Sequence, residues 1–301
     1  MGYSIPSSLQ VAEELLFKAP ATVDFNVNGA CNLDCAWCWG PDHEAHEGLT
    51  IEAWKEIAYR LHCHGTKKIT FTGGEPLMKK GLGECLRYIH DELAIVTTLS
   101  TNGLLLKPKA RDILPSVDDI GLPLDGHVKE INNLMRAGTP RHFDKVLEAI
   151  KFVQDEFPRI SLTVRTVVSL KNYESVPLIG KTMQDFGIDP ERLRWKLYQV
   201  TPIGVRKGDV LEGEWLISNS QFEEAMHKVR TLNPQFPDIT TLTSDMHVGR
   251  YFHIYPDGKT HLFITGEDRF PVALPLGNIG SDFDGVLKKM NDFDLTNNDI
   301  R

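Results

Sequence analysis

The residues best suited to chemistry are three cysteines on one short stretch, Cys31, Cys35 and Cys38, in the run CNLDCAWC. Three soft thiolates on one loop suit a metal ion or an iron–sulfur cube, and both a cube and most structural zinc sites usually take four protein ligands. No fourth cysteine stands beside the three. A cube held this way keeps one iron open, and an open metal site is where a small molecule binds. The competing reading is a structural zinc knot completed by His43 or His46, a few residues downstream.

A second stretch weighs between the two. Thr72-Gly73-Gly74-Glu75-Pro76 follows an apolar, β-like run over Lys68–Phe71. Paired glycines at a strand end let the backbone approach a ligand closely. Glu75 presents a carboxylate that can accept bonds from an ammonium group.

With both stretches in view, the chain resembles the radical S-adenosylmethionine (SAM) superfamily, whose CxxxCxφC motif carries an aromatic residue at φ, here Trp37, and whose second strand ends in a GGEP-type motif. In element order the resemblance runs from about Thr22 to Val200. It implies that Cys31, Cys35 and Cys38 ligate three irons of a [4Fe–4S] cluster whose fourth iron is chelated by SAM. It implies that Gly73, Gly74 and Glu75 hold the SAM ammonium, that Ser100 and Asn102 approach its ribose and methionyl groups, and that a reducing donor such as flavodoxin or ferredoxin supplies electrons. Trp37 and Trp39 flank Cys38, where their rings would shield the cluster or stack on adenine.

Placing these residues requires an alternation of strands and helices, and the pattern supplies it. β-like runs are predicted near 22–27, 68–72, 95–100, 119–124, 160–168 and 193–200, with helices near 51–62 (Thr50 as N-cap), 81–90, 143–156 and 175–186. The fold class is α/β: six β/α units suit a partial (β/α)6 barrel, TIM-like, with chemistry at the C-terminal strand ends. All the motifs fall there. After Lys207 the pattern changes to a helix near 221–231 and β-like pieces near 239–243, 251–255 and 261–265, the last two flanking the turn signal Pro256-Asp257-Gly258-Lys259. The expected organisation is an N-terminal segment (1–20) with a short amphipathic helix over 9–17, a barrel (21–206), and a C-terminal α+β extension (207–301). The extension caps the barrel mouth, and its polar tail after Asp292 is expected to be mobile.

Composition narrows the function. A chain of 301 residues, 41% hydrophobic, buries a substantial core. A net charge of −8, from 41 acidic against 33 basic residues, argues against a nucleic-acid polymer as partner. No apolar run reaches transmembrane length and no secretory signal pattern is present, so no membrane partner is expected. Five cysteines, three of them clustered, fit a reducing cytoplasm. Cys63 and Cys85 are assigned to core packing. No cysteine follows Cys85, so a single cluster is expected.

The substrate class rests on fewer residues. Arg165 alternates inward on its strand, and a buried arginine needs an anionic partner. The SAM carboxylate, a substrate phosphate and a salt bridge inside the barrel are all open. Arg194, Lys196 and Tyr198 share one strand face and suggest an anionic ligand, and Arg136 could reach a phosphate or carboxylate or cover a helix end. Ser169, just after the same strand as Arg165, joins this set. The Arg194-Trp195-Lys196 stretch, Arg136 before Gly138, and Ser244-Asp245-Met246 ahead of Tyr251 resemble the viperin group of nucleotide dehydratases, while Thr163 and Arg165 depart from it. The Tyr255–Gly258 hairpin and Leu276–Ile279 resemble peptide-modifying relatives instead. A small polar metabolite, nucleotide- or sugar-like, is the first expectation. Peptide modification without auxiliary clusters is the second, and a non-catalytic metal-binding scaffold the third. Candidates for proton or hydrogen transfer are Tyr198, Asp245, His247, His253, Tyr255, His261 and Glu267, most of them read as surface or packing residues.

Overall fold

The structure, a computed structural model, describes residues 17–38, 40, 48–247, 251–267 and 270–297. Trp39, His43, His46 and nearly all of the helix expected over 9–17 lie outside the described residues.

The strands are β1 (Thr22–Asn26), β2 (Lys68–Thr72), β3 (Val96–Ser100), β4 (Asp119–Pro123), β5 (Ser161–Val168), β6 (Arg194–Gln199), β7 (Ile239–Leu242), β8 (Phe252–Ile254), β9 (Lys259–Thr265) and β10 (Pro271–Asn278). The helices are α1 (Ile51–Cys63), α2 (Leu82–Arg87), α3 (Leu106–Ile113), α4 (Lys129–Met135), α5 (His142–Glu156), α6 (Ile179–Asp185), α7 (Lys207–Glu212), α8 (Asn219–Leu232) and α9 (Phe283–Asn297). β1 to β6 pair in chain order, each parallel to the next. That is the predicted partial barrel, and it stays open: the strand order is β10-β9-β8-β1-β2-β3-β4-β5-β6-β7. The strands after 207 join the same sheet at both edges, β7 beside β6 and β8 beside β1.

Period-two alternation divides the sheet into two chemically different faces. Val23, Phe25, Ile69, Phe71, Leu99, Ile120, Leu122, Val164, Trp195 and Leu197 are buried in the hydrophobic core. α1 shows how the helices meet that face. Thr50 caps it by accepting from Ala53 N at 3.2 Å, a bond worth about 1 kcal/mol. Trp54, Ile57, Ala58 and Leu61 then form its buried stripe, with Trp54 4.7 Å from Phe25. The alternate residues form the other face, which is polar: Asp24 and Asn26 on β1, Thr70 on β2, Thr98 and Ser100 on β3, Asp119 on β4, Thr163 and Arg165 on β5, and Lys196 and Tyr198 on β6. Ordinary TIM barrels fill this space with branched aliphatic side chains. A charged interior is suited to a ligand.

The hairpin predicted around Pro256–Lys259 joins β8 to β9: Tyr255 N donates to Lys259 O at 2.8 Å, and Gly258 takes the turn's left-handed position at φ +84°. α9 continues past Asp292 as far as Asn297. One expectation is corrected. Cys85 is buried as expected, but Cys63 is exposed, because it ends α1 on the side away from the Trp54 stripe.

Candidate active site

The loops leaving β1, β2 and β3 meet at one end of the sheet. Gly74 N donates to Asn28 O at 2.7 Å and Glu75 N to Ala30 O at 2.8 Å, laying the glycine loop along the segment that enters the cysteines. The approach leaves no room for side chains. A Cβ on Gly73, which sits at φ +134°, would lie 2.4 Å from Asn28 O, and one on Gly74 2.3 Å from Ala30 O. A Cβ on Gly40 would lie 3.1 Å from Gly73 O and 3.3 Å from Cys38 Sγ, so the far end of the cysteine loop returns to the same place.

Glu75 is fully buried and its carboxylate accepts three hydrogen bonds within the protein. Oε1 accepts from Thr101 Oγ1 at 2.6 Å and from Leu77 N at 3.0 Å, and Oε2 accepts from Asn102 N at 2.8 Å. Burial pushes its carboxyl up and these hydrogen bonds pull it down. Glu75 therefore holds the β3 loop and caps the turn Pro76–Met78. Asn102 passes that order on, donating through Nδ2 to Asn32 Oδ1 at 2.6 Å and lying 3.9 Å from Cys31 Sγ.

The cysteines receive backbone donors as iron–sulfur thiolates do: Leu33 N points at Cys31 Sγ and Gly40 N at Cys38 Sγ, each at 3.4 Å. Burial pushes the Cys35 thiol up to about 12 and raises that of Cys31, with Arg136 opposing both. Thiols this desolvated ionise when a metal takes the proton's place. Among the described residues no group of three His, Cys, Asp or Glu side chains converges on one metal ion. His43 and His46, the candidate fourth ligands of a zinc knot, lie outside the described residues. A cube instead spreads its ligands over separate irons, and the thiols, the glycine cradle and the backbone donors fit it.

Trp37 and Arg136 wall the loop. Trp37 Nε1 donates to Met135 O at 2.9 Å, and the Arg136 guanidinium stacks on its ring at 4.4 Å while donating to the buried Asp125 carboxylate at 2.5 Å. This sets Arg136 beside the cysteines and apart from the strand cations. Arg194 is likewise committed elsewhere: it donates to Asp119 Oδ2 and Ser161 Oγ, both at 2.8 Å, where β4 and β5 begin and opposite the motif end. Ser169 bonds Asn172 Oδ1 at 3.2 Å and serves the loop after β5.

Arg165 and Lys196 are adjacent in register across β5 and β6. Arg165 Nη1 donates to Ser100 Oγ at 2.6 Å, its Nε is buried without a hydrogen-bond partner, and neither cation has an ion pair among the described residues. Burial, with the charges of Arg165 and Arg194, holds the Lys196 ammonium below its ordinary value, and burial pushes the Tyr198 phenol up. Two neighbouring half-buried cations call for an anion. Gly121 makes the arrangement possible, since a Cβ there would fall 2.3 Å from Arg165 Cζ. Sequence reasoning missed Gly121 and Asp24, although a glycine inside a strand and the alternation Thr22, Asp24, Asn26 against Val23, Phe25, Val27 were both visible signals.

The radical SAM superfamily profile matches residues 25–179, more than half of the chain. The chain belongs to the radical SAM superfamily. Members of this superfamily are enzymes that use a [4Fe–4S] cluster and SAM. The chain is 30% identical over 172 residues to Fe-coproporphyrin III synthase of Methanosarcina barkeri, covering 56% of this chain and 42% of that one. It is 26% identical over 245 residues to an S-adenosylmethionine-dependent nucleotide dehydratase of Danio rerio, covering 77% of this chain and 65% of that one. The chain thus spans less than two thirds of either relative. In fold it is similar to anSMEcpe with bound AdoMet and Cp18Cys peptide, at a TM-score of 0.67 and 19% identity over 91% of this chain and 82% of that one. Among the described residues no helix is long and apolar enough to cross a membrane.

Proposed function

We propose that this radical SAM protein works at a single cluster on Cys31, Cys35 and Cys38 and acts on a small anionic metabolite of the nucleotide or sugar-phosphate kind. When bound, the cluster and SAM supply a 5′-deoxyadenosyl radical able to take a hydrogen atom from carbon. The chain's own residues do the rest. Gly73 and Gly74 let the backbone approach the SAM amino acid, and Glu75 acts through Asn102 to hold the cysteine loop. Trp37 keeps water from the cysteine loop. Arg165 and Lys196 bind the anionic group of SAM or of substrate, with Tyr198 beside them on the polar face. Residues 21–206 carry this chemistry and 207–301 complete the enclosure. A reduced flavodoxin or ferredoxin in the cytoplasm is a fitting electron donor.

The observation that carries this reading is the pair of adjacent, half-buried cations without carboxylate partners among the described residues, set on the same polar face as the strand ends that bear the motifs. The likeness to nucleotide dehydratases supports it. Peptide modification is the second reading, supported by the β8–β9 hairpin and by a peptide-bound structural neighbour of the same fold.

The test is anaerobic loading with iron and sulfide, reduction with SAM present, and mass spectrometry of 5′-deoxyadenosine with nucleoside triphosphates, sugar phosphates and peptides in parallel. Faster release with a phosphorylated metabolite is expected. Acceleration by peptides alone would contradict the substrate reading, and a cluster-free zinc protein would sink the radical one.

A further inference from the structure

One row of side chains crosses the polar face from β1 through β8 to β9. β8 pairs with β1 so that His253 stands in register with Asp24, and with β9 so that His253 stands opposite His261. Asp24, His253 and His261 thus lie side by side across three strands. His253 Nδ1 is 3.7 Å from Asp24 Oδ2 and 3.3 Å from Asn26 Nδ2, so this edge of the ring is turned to β1. Asp24 and His253 are both buried. His261 Nδ1 is buried without a hydrogen-bond partner, and its ring meets Tyr255 edge-on at 4.9 Å. Phe263 packs edge-on against His253 at 5.1 Å, and Tyr251 lies 5.9 Å from it.

Asp24 lies on the same polar face of the sheet as the strand cations. The interior is therefore polarised, with a carboxylate and two imidazoles on the β1–β9 side and two cations on the β5–β6 side. A hydrophobic core has no use for an imidazole row with a carboxylate at one end. A proton-transfer site has, because the carboxylate orients the first ring and stabilises its charged form.

We propose that Asp24, His253 and His261 form a proton-transfer row for the substrate, with His253 as the residue that exchanges the proton and Asp24 and His261 as its positioning and relay partners. This rests on the reading above that substrate occupies the barrel interior. Because Nδ1 is turned to Asp24 and Asn26, the proton moves at the buried Nε2 of the imidazolium: the N–H bond breaks as an O–H or N–H bond forms on a substrate heteroatom, its electron pair stays with the now neutral ring, and His261 restores the proton from solvent. No electron is transferred. The groups that set His253 are Asp24 from β1, His261 from β9, and Tyr251 and Tyr255 at the ends of its own strand. Burial lowers its proton affinity, Asp24 raises it and His261 lowers it.

The test uses the full chain loaded with oxidised cluster and SAM. NMR follows the ring signals of His253 and His261 between about pH 4.5 and about pH 9, assigned with His253→Gln and His261→Gln. The row predicts shifts of opposite sign: Asp24→Asn moves the His253 midpoint down by about half a pH unit or more, and His261→Gln moves it up. With the substrate found in the panel, His253→Gln is expected to lose at least about tenfold in turnover, a typical share for acid–base catalysis, and to lose the matching limb of the pH profile. A His253 that does not titrate, or that ignores Asp24→Asn, overturns the row as a structural coupling. Coupled titration with wild-type turnover in His253→Gln overturns its role in proton transfer. A wild-type protein with no turnover on any panel member contradicts the substrate reading instead, and the NMR shifts still decide the row.

Discussion

At the scale of single residues, the account turns on side chains whose neighbours define their work. Glu75 is the clearest. A carboxylate after two glycines reads from sequence as an ammonium ligand, yet its oxygens are engaged by Leu77 N, Thr101 Oγ1 and Asn102 N. Truncation would strand those buried donors, each at a cost of about 1–3 kcal/mol. Glu75→Ala is therefore expected to lower unfolding free energy by several kcal/mol in urea as well as to weaken SAM binding. A variant of wild-type stability with only its SAM affinity reduced would return Glu75 to a direct ligand role. Gly121 offers a gentler probe. The nearest atoms to a methyl group there all belong to the far end of Arg165. Gly121→Ala should leave iron content and melting temperature near wild type while raising the KM for the anionic ligand. An unchanged KM would remove Arg165 from the binding face.

At the scale of elements, buried polar links replace apolar packing where loops must be held still. His142, the first residue of α5, accepts from Asn132 Nδ2 on α4 at 3.0 Å and donates to Asn102 O after β3 at 3.2 Å. Accepting at Nδ1 needs the neutral ring. Burial, with Arg136 nearby, lowers its pKa to about 3, against about 6.5 in the unfolded chain. Between those values the unfolded chain binds the extra proton. The stability His142 contributes is present above about pH 6.5 and is lost as pH falls, by up to about 1.4 kcal/mol per unit down to about pH 3. His142→Gln should flatten that acid limb in denaturant titrations, and an unchanged slope would deny His142 this part.

How much of these elements could be read beforehand follows from range. Strands with strict alternation and the Thr50-capped helix were legible because period and cap are local. α3 and α4 were missed, since seven or eight residues give too little periodicity. β10 was missed because Pro271 and Pro275 argue against a strand, and its edge position tolerates them. Within the site, the cysteines and glycines were legible by spacing. Strand face groups Arg194 with Lys196 and charge adds Arg136, and only tertiary structure brings up Asp119 and Asp125 to claim the two arginines.

At the scale of the molecule, one sheet joins the motif-bearing strands to the C-terminal ones. β8 covers the free side of β1 and β7 that of β6. A chain ending at residue 206 would bare both edges and should aggregate or show no cooperative unfolding. A stable, monomeric 1–206 fragment would show instead that the C-terminal strands are an addition. The same sheet sets glycine cradle, cysteine loop and cation pair at one polar face, the arrangement on which the proposed chemistry rests. The most direct test compares wild type with Cys35→Ala after anaerobic iron and sulfide loading, reading iron content and 5′-deoxyadenosine released on reduction with SAM. The account predicts a brown wild type that releases it and a variant with neither cluster nor product. Equal release by the two proteins would contradict it.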